Sequence, residues 1–156
     1  MNDFTFKKYP TVDYMLRTTW NAVVKHYTAQ AVKHDITMSL GFALLAIDPK
    51  VGTPSTALGP KMGMEPTSLS RTLKNLEERD LIRRKPNPKD ARGVIIELTA
   101  DGKHLRDNTR EVVMHFNKVM EDEIGREKLN VFIEVAQQIR DLIAENKVNN
   151  ISKSVQ

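Results

Sequence analysis

Cysteine is absent from the 156 residues. That excludes disulfides, thiolate metal sites and a cysteine redox switch within this chain. No stretch approaches the ~20 apolar residues that a membrane span needs. The opening MNDFTFKKYPT lacks the apolar region of a secretory signal, so a cytoplasmic location is expected. No Gly-rich phosphate loop and no G-x-S-x-G turn occurs. The four histidines, His26, His34, His104 and His115, form no HExxH pattern and stand at no ligand spacing from a carboxylate on a shared face. Neither catalysis, nor a metal, nor a resident cofactor is expected. Repeats and low-complexity tracts are also missing.

What is present has the balance of one globular domain: 40% hydrophobic and 28% charged residues. The net charge of +4 is unevenly placed. Residues 61–106 hold eleven Lys/Arg against seven Asp/Glu, a balance of +4, while thirteen cations meet thirteen acids elsewhere. All the excess positive charge therefore lies in one stretch, as a polyanion-binding surface requires.

Within that stretch, Pro66 suits the first position of a helix, where a missing N–H costs little. Leu69, Leu73 and Leu76 follow at i, i+4 and i+7, one apolar stripe at helical spacing, with Thr72 beside it. The opposite face carries Thr67, Ser70, Arg71 and Lys74, flanked by Ser68 and Asn75. Short hydroxyls and cations approach base edges and phosphates closely. A solvated helix face would read the same way, and Glu77, Glu78 and Asp80 near its end would repel phosphates. The segment that follows separates the two readings. Leu81-Ile82 and Val94–Leu98 are rich in β-branched residues and read as strands. PNPKDARG between them reads as a loop. Arg83, Arg84, Lys85, Lys89 and Arg92 face a single acid there, Asp90. A polar-faced helix followed by a basic hairpin is the layout of a winged helix-turn-helix.

The ordered pattern Leu76-Glu77, Leu81-Ile82-Arg83-Arg84, Asp90-Ala91-Arg92 and Leu98-Thr99-Ala100-Asp101-Gly102-Lys103 resembles the multiple-antibiotic-resistance-regulator (MarR) family of bacterial transcription regulators. Two departures stand out. Asp80 occupies the place of a usual glycine between helix and strand, where Asp tolerates a left-handed backbone at some cost. Gly59-Pro60 falls in the first helix of the pair, near Ser55 to Met62, which is expected to be short or irregular.

The resemblance implies a mainly α fold with a small β-hairpin wing. Residues 36–99 would form the DNA-binding winged helix-turn-helix. Residues 10–35 and 100–147 would form a discontinuous helical dimerisation region, with mobile ends at 1–9 and 148–156. It implies a sequence-specific regulator of double-stranded DNA, a repressor, acting as a homodimer on a pseudo-palindromic site. The implied DNA contacts are Thr67, Ser68, Ser70, Arg71, Lys74, Arg84, Lys89, Asp90 and Arg92. Arg92 would project from the loop tip into the minor groove while Asp90 braces the loop. The competing reading is an interaction module whose basic wing meets an acidic protein.

The remaining helices read as follows. Val12, Leu16, Trp20, Val23, Val24, Tyr27 and Ala31 form one stripe. SLGFALLAI, within Met38 to Ile47, is apolar nearly all round and so central. Thr53 or Ser55 caps the next helix. Gly63 makes the turn before Pro66. Thr99 caps a long helix that Gly125 ends. A last helix spans Arg126 to Glu145. Three apolar stripes exceed what a ~70-residue winged helix covers, which a two-fold dimer resolves. By resemblance, a small aromatic or lipophilic effector would enter a crevice lined by Trp20, Tyr27 and Phe42. Aromatics at helical spacing also serve simply as core.

Overall fold

The computed structural model describes residues 10–148. The expected mobile ends, Val148 apart, lie outside the described residues. In order come α1 (Val12–Val32), α2 (Met38–Ala46), β1 (Thr53–Pro54), α3 (Ser55–Met62), α4 (Pro66–Glu78), β2 (Ile82–Asn87), β3 (Asp90–Leu98), α5 (Ala100–Ile124) and α6 (Arg126–Ala144). The fold is mainly α with an antiparallel hairpin, as the sequence implies. Contacts divide the chain at Val112/Val113 into two compact units.

The first unit holds the core. Thr37 Oγ1 accepts the Leu40 N–H at 3.3 Å and starts α2. This helix buries Leu40, Gly41, Ala43 and Leu44, consistent with its apolar sequence on every side. Leu58 of α3, the Leu69–Leu73–Leu76 stripe of α4, and Leu81, Ile82, Ile96 and Leu98 complete the cluster.

The strand β1 is too short to leave a sequence period, and it rearranges the start of α3. Asp48 Oδ1 accepts the N–H groups of Val51 (3.0 Å) and Lys50 (2.8 Å), and these bonds hold its carboxyl below the usual carboxylate range. The turn they make ends at Gly52, with φ +72°. A Cβ there would lie 2.7 Å from Ile95 Cγ2 and 2.8 Å from the Ile96 carbonyl, so only glycine lets the turn close on β3. Thr53 then pairs with Ile96, and its hydroxyl accepts the Asp48 N–H at 2.9 Å. Thr53 is thus a buried strand residue and caps nothing. Ser55 does not cap either: Pro54 occupies the N-cap with no side-chain bond.

The helix α3 is short, as expected, at eight residues. Pro60 lies inside it, yet it runs unbroken from Ser55 to Met62. Its end is closed by Met64 N–H on the Gly59 carbonyl (3.1 Å), with Gly63 left-handed at φ +60°. In an eight-residue helix Pro60 forfeits one internal bond, while Leu58 and Gly59 beside it are buried.

The hairpin differs in extent. The expected loop PNPKDARG is mostly strand: β2 reaches Asn87, β3 begins at Asp90, and only Pro88 and Lys89 turn. Leu81 precedes the strand. The sheet order β1-β3-β2 makes β2 an edge, so Pro86 sits where its missing N–H costs least. The register breaks between Pro86 and Asn87: Pro86 pairs with Val94, but Asn87 pairs with Asp90. Ala91, Arg92 and Gly93 are left without partners on β2, a bulge.

One node fixes the junction of helix, hairpin and α5. Asp80 is left-handed at φ +52°, as its place in the pattern predicts. The Thr99 N–H donates to the Leu81 carbonyl (3.1 Å) and its hydroxyl to the Asp80 carbonyl (2.7 Å). Thr99 Oγ1 in turn accepts the Gly102 N–H at 3.0 Å, capping α5. A Cβ at Gly102 would meet the Leu81 carbonyl oxygen at 1.9 Å. The Leu-Thr-x-x-Gly pattern is therefore a packing requirement.

The second unit contains the end of α5 and all of α6, joined at Gly125, whose φ is +92°. Arg126 binds Glu121 through Nε (3.1 Å) and Nη2 (2.6 Å) across that joint. No residue of α6 is buried, and none of α1 in the first unit is. Among the described residues, no helix is long and apolar enough to cross a membrane.

Candidate nucleic-acid interface

Burial of Leu69, Leu73 and Leu76 turns the opposite face of α4 outward. Thr67, Ser68, Ser70, Arg71 and Lys74 are all exposed there. Pro66 at the first helical position starts the helix without losing a bond.

The acids near the end of α4 are matched by cations. Arg84 Nε binds Glu77 Oε2 at 2.9 Å, Lys74 lies 3.7 Å from Glu78, Arg83 3.9 Å from Asp80, and Lys85 2.6 Å from Glu97. At these exposures each pair contributes only ~0–1 kcal/mol to stability. Their main effect is on the field, since each neutralises an acid that would repel a polyanion. Arg71, Lys89 and Arg92 form no salt bridge with any described residue. These three cations lie on the outer face of α4 and in the wing.

The wing gives each predicted residue a distinct place. Lys89 occupies the turn, where its N–H donates to Asn87 Oδ1 at 3.0 Å. Asp90 and Arg92 lie just beyond, in β3 and its bulge, so Arg92 is not at the tip of a loop as expected. The Arg92 N–H, which has no strand partner, donates to Asp90 Oδ1 at 3.0 Å. Gly93 matters for space: a Cβ there would lie 3.0 Å from Asp90 Oδ2 and 3.1 Å from the Asn87 side chain.

Arg84 is set apart from these wing cations. It lines a groove with Ser55, Thr56, Ser70 and Leu73, between α3 and α4. Strand alternation puts it on the side of β2 that carries the buried Ile82. The sequence marks Glu77 as part of the Leu-Glu pair and as a source of repulsion but does not show its bond to Arg84; the available signal is an acid and a cation flanking the helix-to-strand break. Asn87 was missed as well, and only the bulge explains its role.

The aromatics divide. Tyr27 and Phe42 meet edge to face with centroids 5.5 Å apart, and burial pushes the Tyr27 hydroxyl up. Trp20 remains 54% exposed. Among the described residues, no group of three or more His, Asp or Glu is placed to hold a metal.

Comparison with known proteins agrees with this geometry. Residues 36–94 match the MarR family model. The HTH-type transcriptional regulator SarZ of Staphylococcus haemolyticus is 27% identical over 99 residues, covering 64% of this chain and 67% of its own length. A SarZ of Staphylococcus aureus aligns over 132 residues at 26% identity, 84% of this chain and 85% of that protein. The fold is that of S. aureus MepR, solved as a DNA complex (TM-score 0.74, 19% identity, 84% of this chain and 97% of that one). It is also that of PcaV from Streptomyces coelicolor, solved with its natural ligand (TM-score 0.73, 16% identity, 90% of this chain and 98% of that one). The winged-helix segment, residues 36–94, is therefore that of the MarR family, and the fold is shared with MepR over 84% of the chain and with PcaV over 90%.

Proposed function

We propose that this chain is a sequence-specific, double-stranded-DNA-binding transcription regulator. It represses by occupying a pseudo-palindromic site as a homodimer. The observation that carries this reading is the distribution of charge. Glu77, Glu78, Asp80 and Glu97 along the reading head are paired with cations, whereas Arg71, Lys89 and Arg92 form no salt bridge with a described residue and keep their charge open to a polyanion. The helix α4 enters the major groove, Thr67, Ser68, Ser70 and Arg71 facing base edges and Lys74 the flanking phosphates. Arg92 reaches the minor groove from the wing, with Lys89 at the backbone beside it. The exposed apolar faces of α1 and α6 are covered by a second copy. A small aromatic or lipophilic effector, bound against Trp20, Tyr27 and Phe42, releases the DNA. All of this takes place in the cytoplasm.

Selection of bound duplexes from a random pool tests the reading. Enrichment of an inverted repeat, with affinity that falls steeply as salt rises, is the expected result. Failure to enrich any duplex, together with a stable complex with an acidic protein, would overturn it in favour of an interaction module.

A further inference from the structure

We infer that Glu77, an acid on the helix proposed to enter DNA, is a positioning residue that aims Arg84 at the nucleic-acid backbone. The inference rests on the DNA-binding reading. Glu77 is otherwise hard to explain. It sits in the last turn of α4, where the helix dipole disfavours a carboxylate, and phosphates would repel it. What it does have is Arg84. Glu77 Oε2 accepts the Nε–H of Arg84 at 2.9 Å, with the two side chains 42% and 40% exposed.

The choice of donor matters. A guanidinium has five N–H groups, and binding through Nε leaves the four on Nη1 and Nη2 for another anion. Glu77 thus fixes the stem of a long, flexible side chain and leaves its forked end available. Arg84 lines the groove where Ser70 of α4 and Ser55 and Thr56 of α3 are gathered. Hydroxyls and a guanidinium together suit a phosphate. Arg84 is then a phosphate clamp between the two helices, distinct from the wing residues.

A competing account assigns Glu77 the opposite sign: it occupies Arg84 and holds it back from DNA. A third account gives it only long-range repulsion. A double-mutant cycle separates all three. The dissociation constant of a duplex selected by the wild-type protein is measured for wild type, Glu77→Ala, Arg84→Ala and the double variant. If Glu77 positions Arg84, Glu77→Ala is less favourable with Arg84 present than in the Arg84→Ala background. The difference expected for an exposed pair is up to about fivefold. Glu77→Ala should also lower the salt slope as Arg84→Ala does. Glu77→Gln, which keeps the acceptor, should restore most of the coupling.

Equal effects in both backgrounds would overturn the proposal in favour of repulsion. Tightening confined to the Arg84 background would overturn it in favour of competition. A second readout needs no DNA: the Arg84 Nε–H resonance should shift and exchange faster in Glu77→Ala, and an unchanged resonance would also overturn the proposal. Wild-type protein that binds no duplex, with the resonance shift intact, would overturn the DNA reading and the positioning role together. Wild-type binding with zero coupling would overturn the positioning role alone.

Discussion

The carboxylate of Asp90 accepts the backbone N–H of Arg92 at 3.0 Å. This bond stands in for the strand partner that the bulge removes, so an acid in a basic wing supports the backbone of the cation beside it. Arg92→Ala should leave thermal stability within ~0.5 kcal/mol of wild type, as an exposed substitution does. It should weaken DNA binding and reduce the salt slope by about one per subunit if one phosphate-like contact is lost. Asp90→Ala should also weaken binding, although it raises the net charge, and Asp90→Asn should retain more affinity because it keeps an acceptor. Titration of labelled duplex decides the matter. Tighter binding by Asp90→Ala would remove the bracing role.

Gly102→Ala provides a test of packing. In a helix interior this change ordinarily gains ~1 kcal/mol from propensity. Here the new Cβ would lie 1.9 Å from the Leu81 carbonyl oxygen, so backbone must move. Overpacking of that kind costs ~1–3 kcal/mol or more. The net effect is destabilising, and urea unfolding should show a lower midpoint. A stabilised variant would mean that the Thr99–Leu81–Gly102 node yields easily.

Asp48 ties stability to pH. The N–H groups of Val51 and Lys50 favour its ionised form, so its folded pKa lies below the unfolded one. The stability it contributes is present above the unfolded pKa and is lost as pH falls through the folded value. Asp48→Ala should therefore lower the thermal midpoint at neutral pH, and the difference from wild type should shrink as the solution is acidified through the carboxylate range. A difference independent of pH would show that the turn needs the side chain's shape and not its charge.

Much of this fold was legible because its signals are local. The stripe Leu69, Leu73 and Leu76 has one period; Gly63, Asp80 and Thr99 each mark a boundary through their own backbone or side-chain chemistry. What escaped depends on partners distant in sequence. Two-residue β1 exists because Gly52 lets the chain lie on Ile95 and Ile96. Pro86 reads as a loop residue until β2 is known to be an edge. The Arg84–Glu77 bond joins a helix end to a strand, and a charge count treats its members as opponents.

Arg71 separates base reading from backbone binding. It is exposed on α4 and has no acidic partner among the described residues. An arginine bidentate to guanine contributes ~1–3 kcal/mol of discrimination. Arg71→Ala should thus weaken the selected site by about tenfold or more while random duplex loses less. Equal losses on both would make Arg71 a phosphate contact. Competition assays with selected and random duplex give the two numbers directly.

The apolar surface of the terminal helices leads to the last prediction. In α6, Phe132 and Ile133 are 57% and 62% exposed, and in α1 Val12 is 61% exposed, so one chain leaves these faces in water. A monomer exposing large apolar side chains on each of these helices would be prone to associate. A second copy placed by a two-fold axis would bury the same faces on both chains. Sedimentation at micromolar concentration should give about 36 kDa, twice the chain's 17.8 kDa. Burying a Phe side chain contributes ~1.5–3 kcal/mol. Phe132→Glu removes that contribution from each protomer and sets a charge in its place, so the dimer should weaken at least a hundredfold, on the order of 3 kcal/mol. Loss of the dimer should also lower affinity for a two-half-site duplex far more than for a single half-site, since the second contact is no longer tethered to the first. A wild-type monomer that still binds the full site tightly would show that each chain reads DNA alone.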